Sequence, residues 1–439
     1  MISTGIVWFR RDLRHIDHSA LNVALAECSQ VIPVFVFDPR QVEKNKFKSS
    51  RAIDFMIQCL EELREVIPLV IKYGNPAKVI PELATEVNAK RVYCNRDYTK
   101  FSQMRDKQVS NALQPITLVA CEDILVNYID KPYLKFTPFY KYSKQYKVQE
   151  PDLSKPNSKK FAIASKIESY GDWQRFASDE NSILVGGRKA ALERLKKIPS
   201  NYGEIRNDLS CGTTMMSAYI KFGCVSIREV YQVFKSQELL IRQLYWRDFY
   251  YLLGLRNPHV LGAPLKPHYS GIKWVKSSKA LGRWQRGETG FPIVDAGMRQ
   301  LNQTGYMHNR ARLITSNFLV KLLGIDWQDG ELYYAQKLRD YDPLINNGNW
   351  QWSSGSGADS QPYFRIFNPW TQGRKFDREA KYIKKWIPEL NDVPTIAIHT
   401  WDMTHQDYSD TKYPKPMIDY KKARNQSLKR YRVSWKTHD

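Results

Sequence analysis

Five short apolar runs, set between amphipathic stretches, restrict the first 125 residues to one class of fold. The runs are Gly5–Phe9, Val31–Phe37, Leu69–Lys72, Arg91–Cys94 and Thr117–Val119, and Ser19–Ala26, Ala52–Val66 and Ala77–Val87 lie between them. A strand with water on one face alternates apolar and polar residues, whereas an unbroken apolar run needs cover on both faces. Strands covered on both faces and joined by helices make a doubly wound parallel sheet, so residues 1–125 are predicted to form an α/β domain.

Residues 126–195 are more polar. The stretch Glu150–Lys160, with two prolines and several lysines, reads as a surface connection within an interdomain connector. From 196 to 439 strand signals fade and helical periodicity takes over, as in Ser226–Phe234, Leu239–Leu253, Gly297–Leu301 and Ala311–Leu323. The expected architecture is therefore α/β followed by all-α, with a basic, peripheral tail from Lys412. Neither a GxGxxG nor a Walker phosphate loop is present, which removes the two simplest nucleotide-binding readings.

Composition narrows the function. A formal net charge of +22 favours a polyanionic partner, because cationic side chains displace counterions condensed on phosphates. Aromatic residues make up 13%, with 12 Trp, which suits stacking on bases or on a planar cofactor. The six cysteines lack CxxC spacing, so neither a metal site nor a disulfide framework is expected, and reduced thiols inside the cell are the simpler reading. No apolar run reaches the ~18 residues of a membrane span. The N-terminal MISTGIVWFRRDLR reads as a strand entering a basic loop rather than a signal peptide.

Four segments of the helical half carry the chemistry: Gln243–Tyr250, Trp284–Arg299, Gly305–Leu313, and Asp340–Trp352 with Pro362–Pro369. They combine amide, guanidinium, carboxylate and indole groups, which together can hydrogen-bond a heteroaromatic edge and stack on its faces. Singly, each could be core packing with structural ion pairs. Four in one half of a basic protein point to a site.

These segments resemble the photolyase/cryptochrome family, most closely its class I cyclobutane-pyrimidine-dimer photolyases. The resemblance runs from Trp8-Phe9-Arg10-Arg11-Asp12-Leu13-Arg14 to Tyr382–Leu390, and TGFPIVDAGMRQL, MHNRAR, NNGNWQW and PYFRIFNP are its specific motifs. It implies light-driven repair of cyclobutane dimers in ultraviolet-damaged DNA by electron transfer from reduced, anionic FAD. The implied protein is a monomer, cytoplasmic, or nuclear in a eukaryote. By position, Tyr202, Arg206, Thr213, Thr214, Met215, Ser217, Arg312, Asp340, Asp342 and Asn346 would hold FAD. Asn346 would face flavin N5, where an amide adds no second negative charge. Trp350, Trp327 and Trp274 match the family's electron route from flavin to surface.

Gln243, Trp246, Asn309, Arg310, Leu313, Trp352 and Arg365 would meet the flipped lesion and its phosphates, with the two indoles flanking the dimer. Gln243 stands where dimer photolyases carry glutamate, and it cannot supply a proton. Leu313 replaces the usual methionine. Asn309 fits dimer repair, since (6-4) photolyases carry histidine there, and His308 reads as structural. A (6-4) photolyase and a cryptochrome-like photoreceptor without repair stay open as alternatives. The Asn-Glu pair of folate-binding relatives is missing, with Phe101 and Ser102 in its place, so a flavin or 8-hydroxy-5-deazaflavin antenna, or an empty site, is expected. Arg11, Asp38 and Arg51 are its candidate contacts.

Overall fold

A computed structural model of the protein describes residues 2–126, 131–161, 167–178, 183–360, 362 and 364–436. The chain packs as two compact units. The first comprises Met1–Ile198, Thr214–Pro258 and Arg339–Asp342, and the second Pro199–Thr213, His259–Leu338 and Pro343–Asp439.

All five apolar runs of the first unit are strands: β1 (Ile2–Phe9), β2 (Cys28–Phe37), β3 (Val70–Tyr73), β4 (Arg91–Asn95) and β5 (Thr117–Cys121). They pair in parallel in the order β3-β2-β1-β4-β5. Helices α1 (Ser19–Glu27), α2 (Ser50–Val66), α3 (Pro76–Glu86) and α4 (Lys100–Ala112) connect them. Sequence periodicity misses α4 because its buried positions are Ser102, Arg105 and Val109, two of them polar.

In such sheets ligands bind beyond the carboxyl ends of the strands, where the strand order reverses. Here that point, between β1 and β4, is filled by a buried polar junction. Asn95, ending β4, donates to Asp12 just past β1 at 2.8 Å, and His18 Nε2 lies 2.9 Å from the same carboxylate. Arg14 pairs with Asp123 at 2.6 Å, and Arg228 with Asp17 at 2.8 Å and Asp123 at 3.0 Å. Burial alone would raise the Asp123 carboxyl, but the two arginines hold it below its ordinary value.

The further helices of this unit include α5 (Ser217–Lys221), α6 (Ile227–Phe234) and α7 (Glu238–Arg256). The compact units thus divide the chain differently from limits at 125 and 195, since Thr214–Pro258 packs with the sheet. The reason lies in buried polar ties that hydropathy does not reveal. Arg228 of α6 joins the junction just described, and Asp248 of α7, fully buried, accepts the backbone N–H groups of Leu125 and Val126 at 2.8 and 3.1 Å.

The second unit is helical: α8 (Ser278–Arg286), α9 (Pro292–Thr304), α10 (Asn309–Asn317), α11 (Trp327–Lys337), α12 (Pro343–Ser354) and α13 (Tyr420–Lys436). A π-helical turn, Phe318–Leu323, continues α10. Trp284, Met298, Phe318 and Trp350 are buried in its core. The tail from Lys412 is not peripheral, contrary to expectation. The Tyr413 hydroxyl donates to Asp295 at 2.5 Å, and buried Tyr431 donates to the Ser354 carbonyl at 2.7 Å. Ala423, Ser427 and Tyr431, four residues apart, turn inward while Arg424 and Lys429 between them stay exposed. Small and aromatic residues at that spacing leave little hydrophobic signal in a basic segment.

Candidate active site

In the first unit the candidate residues centre on Asp342. Its carboxylate is buried, accepts the Tyr251 hydroxyl at 2.7 Å and pairs with Arg11. Arg11 also pairs with Asp97 at 3.2 Å and lies over the Tyr251 ring, 4.9 Å from its centroid. Burial and the Arg11 charge push the Lys221 ammonium down to about 8. Asp340 is half-buried two residues before Asp342. Thr214 and Met215 are half-buried and Ser217 is exposed at the start of α5. Met215 takes a left-handed backbone (φ 52°), a conformation costly for a side chain with a Cβ, in the turn that leads into α5.

Gln243 and Trp246 lie three residues apart on α7, as predicted, and both are half-buried. One face of the Trp246 indole is covered by Phe136, with ring centroids 3.8 Å apart and planes 5° from parallel. The Gln243 amide donates back along the helix to the Leu239 carbonyl at 3.2 Å. Of the antenna candidates, Arg11 is committed to the ion pairs above. Asp38, 2% exposed, binds Arg40 Nη2 at 2.6 Å and caps the short helix that follows. Arg51 is half-buried in the first turn of α2.

In the second unit, His308 starts α10, its Nδ1 accepting the Arg310 backbone N–H at 3.0 Å. That cap sets the first turn, leaving Asn309 exposed and Leu313 half-buried one turn on. Arg310 donates to Asn207 at 2.6 Å and stacks its guanidinium on Phe376, 4.2 Å from the centroid. Burial and Arg206 lower its proton affinity. Arg206 in turn lies 5.7 Å from the Tyr202 ring. Arg312 donates to the Met307 carbonyl at 2.9 Å and faces Tyr306, whose hydroxyl is 2.6 Å from that of Thr213. The structure thus gathers Tyr202, Arg206, Arg310, and separately Thr213 and Arg312, into cationic, aromatic-lined groups. Trp352 is half-buried near the end of α12, and Arg365 is exposed beside Phe364. Gln361 and Tyr363, from the PYFRIFNP region, lie outside the described residues.

Asn346, buried on α12, is oriented by a hydrogen bond from its amide nitrogen to the Glu331 carbonyl at 3.1 Å. Trp350, one turn later, meets Tyr334 and Trp284 edge-on, with centroids 4.8 and 6.2 Å away. Trp327 is buried at the start of α11, behind an Asp326 cap, and Trp274 is half-buried.

The sequence matches two family descriptions, "DNA photolyase" over residues 5–157 and "FAD binding domain of DNA photolyase" over residues 240–433. A deoxyribodipyrimidine photo-lyase of Halobacterium salinarum is 32% identical, and the alignment covers 96% of this chain and 98% of that protein. The chain belongs to the DNA photolyase family. Among solved structures, an archaeal photolyase from Sulfolobus tokodaii, described with two FAD molecules, is 38% identical with a TM-score of 0.91, covering 98% of this chain and all of that one (100%). A bacterial class III photolyase from Agrobacterium tumefaciens is 30% identical with a TM-score of 0.86, covering 99% and 98%.

The residues of this photolyase fit a flavin dinucleotide. Arg310 Nε and His308 Nε2 are buried with no partner among the described residues. Burial and the nearby Arg206 charge lower the proton affinity of Arg310, and an anionic phosphate there would relieve it. Sequence reasoning missed Trp284 and Tyr334, the aromatic neighbours of Trp350. Trp284 opens one of the four chemical segments, but nothing in a linear motif says which indole it will touch.

Proposed function

We propose that this photolyase is a class I enzyme that repairs cyclobutane pyrimidine dimers in DNA with light. The observation that carries this reading is Asn309, exposed on the first turn of α10 in a chain that matches the family along its length. Repair of a (6-4) product needs a proton donor at the lesion, and an asparagine supplies none. Reduced, anionic FAD, when bound, supplies the photoexcited electron that splits the cyclobutane ring. Thr213, Thr214 and Ser217 are proposed to hold its pyrophosphate, with Tyr202, Arg206 and Met215 as further contacts, while Arg312, Asp340 and Asp342 surround the isoalloxazine and ribose region and Asn346 faces flavin N5.

Gln243, Trp246, Asn309, Leu313 and Trp352 are assigned to the lesion, with Arg310 and Arg365 on flanking phosphates. With Phe136 over one face of Trp246, only the opposite face can stack on a base, which fixes the side from which the dimer approaches that indole. Trp350, Trp327 and Trp274 carry electrons inward when the flavin needs reduction. We divide the chain functionally into an antenna domain (1–125), a connector (126–195) and the FAD domain (196–439), the last supported by the FAD-binding family match inside it at residues 240–433. A flavin or deazaflavin in the antenna domain, a monomeric state and action in the cytoplasm complete the proposal.

A second reading, a photoreceptor without repair, is favoured by Gln243 and Leu313. Equilibrium binding separates the readings. Duplexes carrying a cyclobutane dimer, a (6-4) product or no lesion are titrated with the protein in the dark. Repair predicts that the dimer duplex binds at least ~100-fold tighter than intact DNA, and that Trp352→Ala removes about 1–3 kcal/mol of that preference. Equal affinity for all three duplexes sides with the photoreceptor.

A further inference from the structure

We propose that the surface around Trp274 is the entry site for an anionic one-electron reductant. The proposal rests on the reading of Trp350, Trp327 and Trp274 as an electron route. Trp274 sits in a small cluster with Tyr269, Ile272 and Tyr431, and meets the Tyr431 ring edge-on at 6.4 Å. Two basic segments meet here. Lys273 and Lys276 flank Trp274 and are exposed, and Arg432, next to Tyr431, is exposed as well. Neither Gly271–Lys279 nor Tyr420–Lys436 contains an Asp or Glu.

A fourth cation closes the collar. Val275 donates its N–H to the Gly324 carbonyl at 2.8 Å, and Arg430 packs on Gly324 so closely that a Cβ there would lie 2.4 Å from Arg430 Cζ. Arg430 Nη1 is buried with no partner among the described residues. The carboxylate nearest in charge to Tyr431 is Asp326, already engaged in capping α11 through the Gln328 N–H.

The chemistry assigns this collar a role. Reduction through the route leaves an electron vacancy on Trp274. The vacancy does not pass on to Tyr431, because the Tyr431 hydroxyl donates to a backbone carbonyl, too weak a base to take the proton that tyrosine oxidation releases. Surrounding cations disfavour a positively charged indole, so the Trp274 radical sheds its ring N–H proton to water. An external donor then gives up one electron, and Trp274 regains that electron and a proton from water. In sum, the donor is oxidised by one electron and the cofactor reduced by one. A cationic surface gathers anionic donors and speeds their encounter.

The test is flash photolysis of the FAD-loaded protein, following decay of the indole-radical absorption with ferrocyanide or neutral ferrocenemethanol as donor. At low salt the ferrocyanide rate constant should exceed the other about tenfold or more, and the advantage should shrink toward about 0.5 M salt. The triple variant Lys273→Gln, Lys276→Gln, Arg432→Gln should slow ferrocyanide several-fold and leave ferrocenemethanol unchanged. A control with the same change in net charge, Lys107→Gln, Lys189→Gln, Lys196→Gln, should have little effect. Equal effects of the two triple variants would mean that overall charge does the steering, which overturns the entry site. So would a collar variant that loses affinity for undamaged duplex DNA while its ferrocyanide rate is unchanged. A parent protein that yields no indole radical overturns the electron route itself and the entry site with it.

Discussion

Trp350 closes on Gly330 so tightly that a Cβ at residue 330 would lie 2.1 Å from Trp350 Cη2 and 2.6 Å from Leu319 Cδ2. Gly330 is one turn past Trp327 on α11, so the missing side chain lets one assigned indole approach the turn that begins with the other. Gly330→Ala should therefore displace Trp350. We expect a loss of about 1–3 kcal/mol in urea denaturation, despite alanine's better helix propensity, together with slower flavin photoreduction. Unchanged stability and rate would show that Trp350 does not need this approach.

Replacing the indole itself separates reduction from repair. Trp350→Phe should abolish photoreduction of oxidised flavin, read from the loss of its visible absorption under light with an external donor. The same variant, reduced chemically, should still repair dimers. Photoreduction at the parent rate would remove Trp350 from the route.

His308 makes acid sensitivity testable. Burial, with Arg310 and Arg312 nearby, pushes its imidazole down to about 4. The unfolded chain takes up a proton near pH 6.5, but the folded protein does not until about pH 4. Stability is therefore complete above pH 6.5 and is lost as pH falls through 4, by up to roughly 3 kcal/mol from this group. His308→Asn keeps a capping acceptor without the titration, so its stability should fall less between pH 7 and pH 4.5. Parallel pH profiles for the two proteins would contradict this.

Asp342 depends on Arg11. Arg11→Ala removes the cation paired with a buried carboxylate and should cost about 3–5 kcal/mol. Arg11→Ala combined with Asp342→Asn should recover part of that loss, because the buried charge is gone. Strict additivity in this double-mutant cycle would show that the pair is not coupled.

What the sequence made legible, and what it hid, follows from how far each signal reaches along the chain. Strands β1, β2 and β4 were visible because burial on both faces writes an unbroken apolar run, while the edge strand β5 kept its apolar run although only partly buried. Helix α4 was hidden because its inner face carries Ser102 and Arg105, and α13 because its inward stripe is Ala423, Ser427 and Tyr431 among cations. Gln243 and Trp246 could be set on one helix face from spacing alone. That Phe136 covers Trp246, or that Trp284 and Tyr334 enclose Trp350, depends on contacts more than 25 residues apart in the chain for Phe136 and Trp284, which local periodicity cannot encode. The packing of Thr214–Pro258 with the sheet rests likewise on Arg228 and Asp248, buried polar residues whose partners lie over 100 positions away.

The central claim is tested most directly by illuminating the purified, flavin-reduced protein with an oligonucleotide that carries one cyclobutane thymine dimer, and counting restored thymines by chromatography. We predict near-complete restoration under blue or near-ultraviolet light and none in the dark. A dimer left intact after prolonged illumination, with flavin bound and reduced, would contradict it.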